Sequence, residues 1–189
     1  AYSDMSVIDE ENKVIAPTLK GFRPRIRYVS GTDLIKVYAF ANCTAGCSMV
    51  VKSDVAKKAL PFLHDTVCDQ WICMVASVCG RIAFVNRQLV KHRQHKENQT
   101  GILTGVFDKE SYKQLRIVPM VSRVTECSRR MKIPQEIVDF AVAREQKDLL
   151  GIWKYRRLCT KDAIFELAMA CMPNWLVKKV LNKIKGKQR

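Results

Sequence analysis

No stretch of this 189-residue chain holds the 18 or so apolar residues that a membrane-spanning helix requires; the longest candidate, Trp71 to Val78, is far too short. Any membrane contact is therefore expected to be peripheral. Histidine is scarce, with three in all, and glycine numbers only eight. There is no G-x-S-x-G elbow, no glycine-rich phosphate loop, no H-E-x-x-H and no G-x-G-x-x-G. A Cys–His pair can be drawn from His64 and Cys68, but both fall on one helical face with no third group to orient them. The sequence thus predicts a protein that is not an enzyme. An apolar leader is missing too, so the eight cysteines are expected to be reduced and several to behave as small hydrophobes, as Cys73 and Cys79 do within an apolar helical pattern.

What the chain has in excess is positive charge. Its 33 Lys and Arg against 18 Asp and Glu give +15, and four of the acids, Asp4, Asp9, Glu10 and Glu11, precede the first base, Lys13. Such a field attracts phosphate, in nucleic acid or in anionic lipid headgroups. Residues 1–20 read as a flexible acidic arm, residues 21–173 as a single α+β core domain, and residues 174–189 as a basic amphipathic helix or tail. The acidic arm could compete internally for a basic patch.

The centre of the core is expected between Thr32 and Asn86. Leu34 to Ala41, rich in β-branched and aromatic residues, predicts a strand; Asn42 to Cys47 predicts a turn, and Met49 to Val51 a returning strand. Ser53-Asp54 caps a long helix that is apolar nearly all round from Val67 to Cys79, and Ile82 to Val85 is a further strand. Leu115 to Pro119 is an edge-strand candidate, after which the chain turns helical, with Pro134 in a first turn and Thr160 capping a helix from Lys161 to about Met172. The resulting fold class is α+β: a small antiparallel sheet packed on a long helix, with a helical C-terminal half.

Four candidate surfaces follow. Lys20 to Tyr28 alternates Arg23, Arg25 and Arg27 with aromatic or apolar residues, a pattern that can hold phosphates while Phe22 or Tyr28 stacks a base, and equally the pattern of an ordinary edge strand. Arg87, Lys91, Arg93 and Lys96, with His92 and His95 among them, form a second phosphate-facing stretch. Arg123, Arg129 and Arg130 form a third. In the last segment Val177, Val180, Leu181 and Ile184 share a face, Trp175 and Leu176 stand at the entry, and Lys178, Lys179 and Lys183 are among the bases that cover the rest. That composition suits a helix lying in an anionic membrane interface; it suits as well a helix packed on its own domain with a basic tail in water.

Cys43-x3-Cys47 followed by His64-x3-Cys68 offers four donors of the kind zinc takes, two on a turn and two at i and i+4 on a helix, although the spacing is wider than usual. Zinc is the one cofactor the sequence admits, against the simpler reading of inert thiols and no cofactor.

The order of strand, helix opened by Lys52-Ser53-Asp54-Val55-Ala56, long helix and strand, in a basic chain of this size, resembles the matrix proteins of rhabdoviruses between Leu34 and Val85. The resemblance implies an α+β matrix domain that self-associates, condenses the helical nucleocapsid and touches the inner face of the envelope, in the virion and the host cytoplasm. Matrix proteins of animal-infecting members commonly carry a Lys-rich N-terminal arm and a proline-rich budding motif. This chain has an acidic N-terminal stretch and no such motif, so a plant-infecting relative fits better. A basic RNA-binding viral protein, a nucleocapsid protein or silencing suppressor without membrane business, accounts for the same charge.

Overall fold

The computed structural model describes residues 1–24, 26–95 and 104–186. Internal contacts divide the chain into two compact units, Ala1–Gln99 and Thr100–Arg189, where the sequence suggested one core domain from residue 21 to 173. The fold is α+β with a helical C-terminal half.

Unit 1 is built on the segment expected to be an arm. Strand β1 (Tyr2–Ile8) is the middle of a three-stranded sheet ordered β2-β1-β3, with β2 at Val14–Ala16 and β3 at Phe84–Arg93. The sheet is mixed. β1 pairs antiparallel with β2, as in Val7 opposite Ala16, but parallel with β3, as in Met5 opposite Val90. A parallel neighbour cannot follow through a tight turn, so the 75 or so intervening residues form the crossover. Met5 and Val7 join Ala16 and Leu19 in a buried cluster against which Val90 packs.

The polar look of residues 1–20 misleads because Asp4 is an interior acid. Its Oδ1 accepts from Met5 N at 2.8 Å, Leu19 N at 3.2 Å and the Tyr28 hydroxyl, and its Oδ2 accepts from Gln88 Nε2 at 3.1 Å. A buried carboxylate so satisfied is tolerated in a central strand. It is therefore a structural group and no competitor for a surface cation.

Leu34 to Ala41 is not a strand: it carries the short helix α2 (Ile35–Tyr38), after α1 (Leu19–Phe22). Ile35, Tyr38 and Ala39 are all buried, and their i, i+3, i+4 spacing is a helical face that composition alone conceals. The expected long helix is broken into α3 (Ser53–Lys58) and α4 (Cys68–Cys79). Trp71 on α4, fully buried, donates its indole N–H to Ala59 O at 2.7 Å and so ties the end of α3 to the α4 core.

Unit 2 is helical: α5 (Lys109–Tyr112), α6 (Val118–Arg130), α7 (Gln135–Gln146), α8 (Leu149–Lys154), α9 (Thr160–Cys171) and α10 (Asn174–Gly186). A wider helical turn over Lys113–Ile117 joins α5 to α6, so Leu115 to Pro119 is no edge strand. Pro119 stands in the first turn of α6, at the point where the wider turn of Lys113–Ile117 passes into regular helix. Lys147 ends α7 in the left-handed region (φ 58°), and the Asp148 carboxylate caps α8 by accepting from Leu150 N at 3.1 Å.

Candidate polyanion-binding surfaces

One basic strip is β3. It lies at an edge of the sheet, and from Phe84 to His95 there is no acid. Arg87 and Lys91 are exposed, while Val90 and His92 are half-buried toward the sheet. Arg93 is exposed but engaged: Nη1 donates to Asp9 O and Glu10 O, each at 2.9 Å, and Nη2 to Asn12 Oδ1 at 2.7 Å. It clamps the β1–β2 turn rather than waiting for a ligand. Burial, with help from the charge of Arg23, pulls the pKa of His92 below its usual value, which disfavours the imidazolium that would face a phosphate.

Around the first basic segment the outcome is mixed. Arg23 is half-buried and desolvation lowers its pKa; Arg27 is exposed. Arg25 and Lys96 lie outside the described residues. The Tyr28 ring stacks on Phe84 at 4.1 Å and 14°, and burial followed by the hydrogen bond to Asp4 raises its pKa. That ring is committed inside the unit. Phe22, 38 % exposed, remains available for stacking.

The α6 arginines do not form a free cationic face. Arg123 is buried, its Nη1 within 3.5 Å of Pro119 O, and burial, with repulsion from Arg144, brings its pKa down to about 10. Arg129 and Arg130 share one acid: Arg129 Nη2 and Arg130 Nε reach Glu126 Oε1 at 2.7 and 2.6 Å. Hydrogen bonds from Arg129 and then Arg130 hold the Glu126 carboxyl at about 2.

The last helix, α10, is amphipathic as expected, but its apolar face is largely spent inside the protein. Val177 and Leu181 are fully buried, and Leu176, Val180 and Ile184 are half-buried. Lys178, Lys179 and Lys183 face water, and Trp175 is 67 % exposed. Leu181 is thus a core residue, not a membrane contact.

The proposed zinc ligands are not brought together. Among the described residues no group of three or more His, Cys, Asp or Glu is gathered for a metal. Cys43 is buried, and desolvation pushes its thiol up to about 11, which disfavours the thiolate that zinc needs; Cys47 and Cys68 are exposed. Cys73 Sγ lies 2.8 Å from Thr44 Oγ1, and burial raises its pKa as well.

Two features of unit 2 escape sequence reasoning. The first is a cavity of about 220 Å³ lined by Tyr112, Ile117, Arg144, Ile152, Glu166 and Met169 among others. In its wall Arg144 Nη2 meets Glu166 Oε1 at 2.6 Å, and the Tyr112 hydroxyl donates to the same oxygen at 2.9 Å. Burial alone would lower the Arg144 pKa; the hydrogen bond and charge of Glu166 outweigh it and hold it above the ordinary value.

The second is the outer face of α8, where Leu150 is 82 % and Trp153 55 % exposed. Arg156 stacks its guanidinium 4.0 Å over the Trp153 ring and donates to Trp153 O at 2.7 Å. Sequence periodicity merges Leu149 and Ile152 into the pattern that begins at Ile137. The available signal is the Leu149-Leu150 doublet with Trp153 among Lys147, Lys154, Arg156 and Arg157.

Among the described residues no helix is long and apolar enough to cross a membrane. Comparison with protein-family models, curated proteins and solved structures yields no match to this chain.

Proposed function

We propose that this chain is a non-enzymatic structural protein of the viral-matrix type, which binds RNA or nucleocapsid, self-associates and touches an anionic membrane peripherally. The observation that carries the reading is β3: an edge strand of the described sheet with Arg87 and Lys91 in water and no acid between Phe84 and His95 to neutralise them. Cations fixed on a strand meet a polyanion without losing the entropy of a flexible arm, and each phosphate neutralised releases counterions. Phe22 and Arg27 extend the same chemistry with a stacking surface and a further charge. Binding of this kind is sequence-tolerant, as condensation of a nucleocapsid requires. Virion and host cytoplasm are the locations that follow.

The second reading, an RNA-binding viral protein with no membrane contact, is favoured by one observation, the burial of Val177 and Leu181, which takes from α10 most of the face it would insert. Fluorescence anisotropy with single-stranded RNA tests the element common to both. Arg87→Glu/Lys91→Glu is expected to weaken binding at least about tenfold at low salt and to flatten the salt dependence by roughly one unit of log–log slope for each phosphate the variant no longer neutralises. Unchanged affinity and slope would remove β3 from the interface.

A further inference from the structure

We infer that the outer face of α8, and not the C-terminal helix, is the surface that docks on an anionic lipid bilayer. The inference rests on the membrane-contacting part of the function proposed above and gives that contact a place. The sequence dictates the geometry. Asp148 caps the helix, and at Gly151 a Cβ would stand 2.8 Å from Ala143 Cβ and 2.5 Å from Asp148 Oδ2, so only glycine lets α8 lie this close to α7. Gly151 and the buried Ile152 therefore face inward. One consequence of that rotation is that Leu150 and Trp153, at i and i+3, are turned out together into solvent, with the half-exposed Leu149 beside them lining the cavity.

An exposed Leu-Trp face on a six-residue helix calls for an occupant, and charge selects it. From Lys147 to Lys161 there are five bases, Lys147, Lys154, Arg156, Arg157 and Lys161, against the single acid Asp148, whose carboxylate is occupied as the cap. A protein partner would have to bring matching acids around an apolar centre; an anionic bilayer presents both at once, phosphates at the surface and acyl chains beneath. Tryptophan prefers that boundary, and Arg156, held against the Trp153 ring, places a cation at headgroup depth while the ring and Leu150 reach below. The tail lacks this arrangement because its own aliphatic residues are already packed.

The test is flotation of the full chain with vesicles of phosphatidylcholine alone or mixed with phosphatidylserine, at low and high salt, comparing it with Leu150→Ser/Trp153→Ser. Both side chains are exposed, so the variant is expected to keep the parent's circular dichroism and RNA affinity. Expected is salt-resistant flotation of the parent with anionic vesicles only, reduced about tenfold or more in the variant, since the apolar contribution is what salt does not screen. In a Trp175→Phe chain, quenching of tryptophan emission by brominated anionic lipid would report Trp153, Trp71 being buried. A parent and a variant that float alike overturn the inference while leaving a membrane-binding matrix protein intact. A parent that binds RNA but floats only at low salt overturns both the inference and the membrane part of the function. Loss of self-association in the variant with flotation unchanged would assign the face to a contact between copies, and the inference fails.

Discussion

Asp4 illustrates how much a single buried group can carry. Burial alone would raise its pKa, but the hydrogen bonds from Tyr28, Met5 N, Gln88 and Leu19 N outweigh it and hold the carboxyl below its ordinary value. A carboxylate depressed in the folded state adds stability that is complete above its unfolded pKa of about 3.9 and is lost as pH falls through the lower folded value. Asp4→Asn is expected to cost about 1–3 kcal/mol at neutral pH and to blunt the loss of stability as pH falls below about 4, as followed by urea unfolding at a series of acidic pH values. Arg144 and Glu166 make a second such case in unit 2. Glu166→Ala leaves a guanidinium buried without its main counter-charge and should destabilise by about 3–5 kcal/mol, whereas Arg144→Met/Glu166→Leu should recover most of that. If the double variant were no better than the single in denaturant melts, the pair would be holding more than itself. Neither acid announces its role in the sequence, because apart from Met5 N the partners of Asp4 lie 15 to 84 positions away, and the arginine that meets Glu166 lies 22 away.

At the scale of elements, α10 changes meaning between sequence and structure. Its apolar stripe is legible at once; whether the stripe faces lipid or the protein is not, since period 3.6 specifies a face and never what covers it. With Leu181 wholly buried, Leu181→Ala should lower the stability of unit 2 by about 2–5 kcal/mol, and removal of the chain after Pro173 should lower its melting temperature further. Thermal melts by circular dichroism read both. If unit 2 melted normally without α10, the helix would be an appendage and its membrane reading would return. Leu34 to Ala41 misleads for the opposite reason. Its residue types prefer strand and its helical spacing lasts only one turn, yet tertiary burial of Ile35, Tyr38 and Ala39 wins over propensity. The helix starts at Ser53, Asn174 and Thr160 are readable from local composition, and so is the helical C-terminal half, but Ser53 and Thr160 are first-turn residues and not caps: Lys52 and Cys159 hold the cap positions without a side-chain bond, and Asp54 and Asp162 put the acid in the first turn.

For the whole molecule, the two units imply that damage stays local. Asp4→Asn should speed amide hydrogen exchange within residues 1–95 and leave 104–186 near the parent's rates, with Glu166→Ala doing the reverse. Exchange raised throughout the chain by either variant would show one cooperative body. The charge also belongs to this scale. A net +15 makes affinity for polyanions a property of the entire chain, but the fold decides which cations are free to express it. Arg87, Lys91 and Arg27 stand exposed, Arg93 fastens a turn, Arg129 and Arg130 divide one carboxylate, and Arg123 is inside.

The sequence by itself determined the α+β class, the helical second half, the positive field and the lack of an apolar run long enough for a spanning helix, because composition and local periodicity are properties of neighbours along the chain. Only the tertiary structure decided that Tyr2–Ile8 is the centre of a sheet, that its neighbour β3 runs parallel to it, and that α10 packs inward while α8 turns Leu150 and Trp153 to water. Those outcomes depend on which distant surfaces meet. Burial and hydrogen-bond satisfaction are summed over such meetings, and no window of sequence contains them.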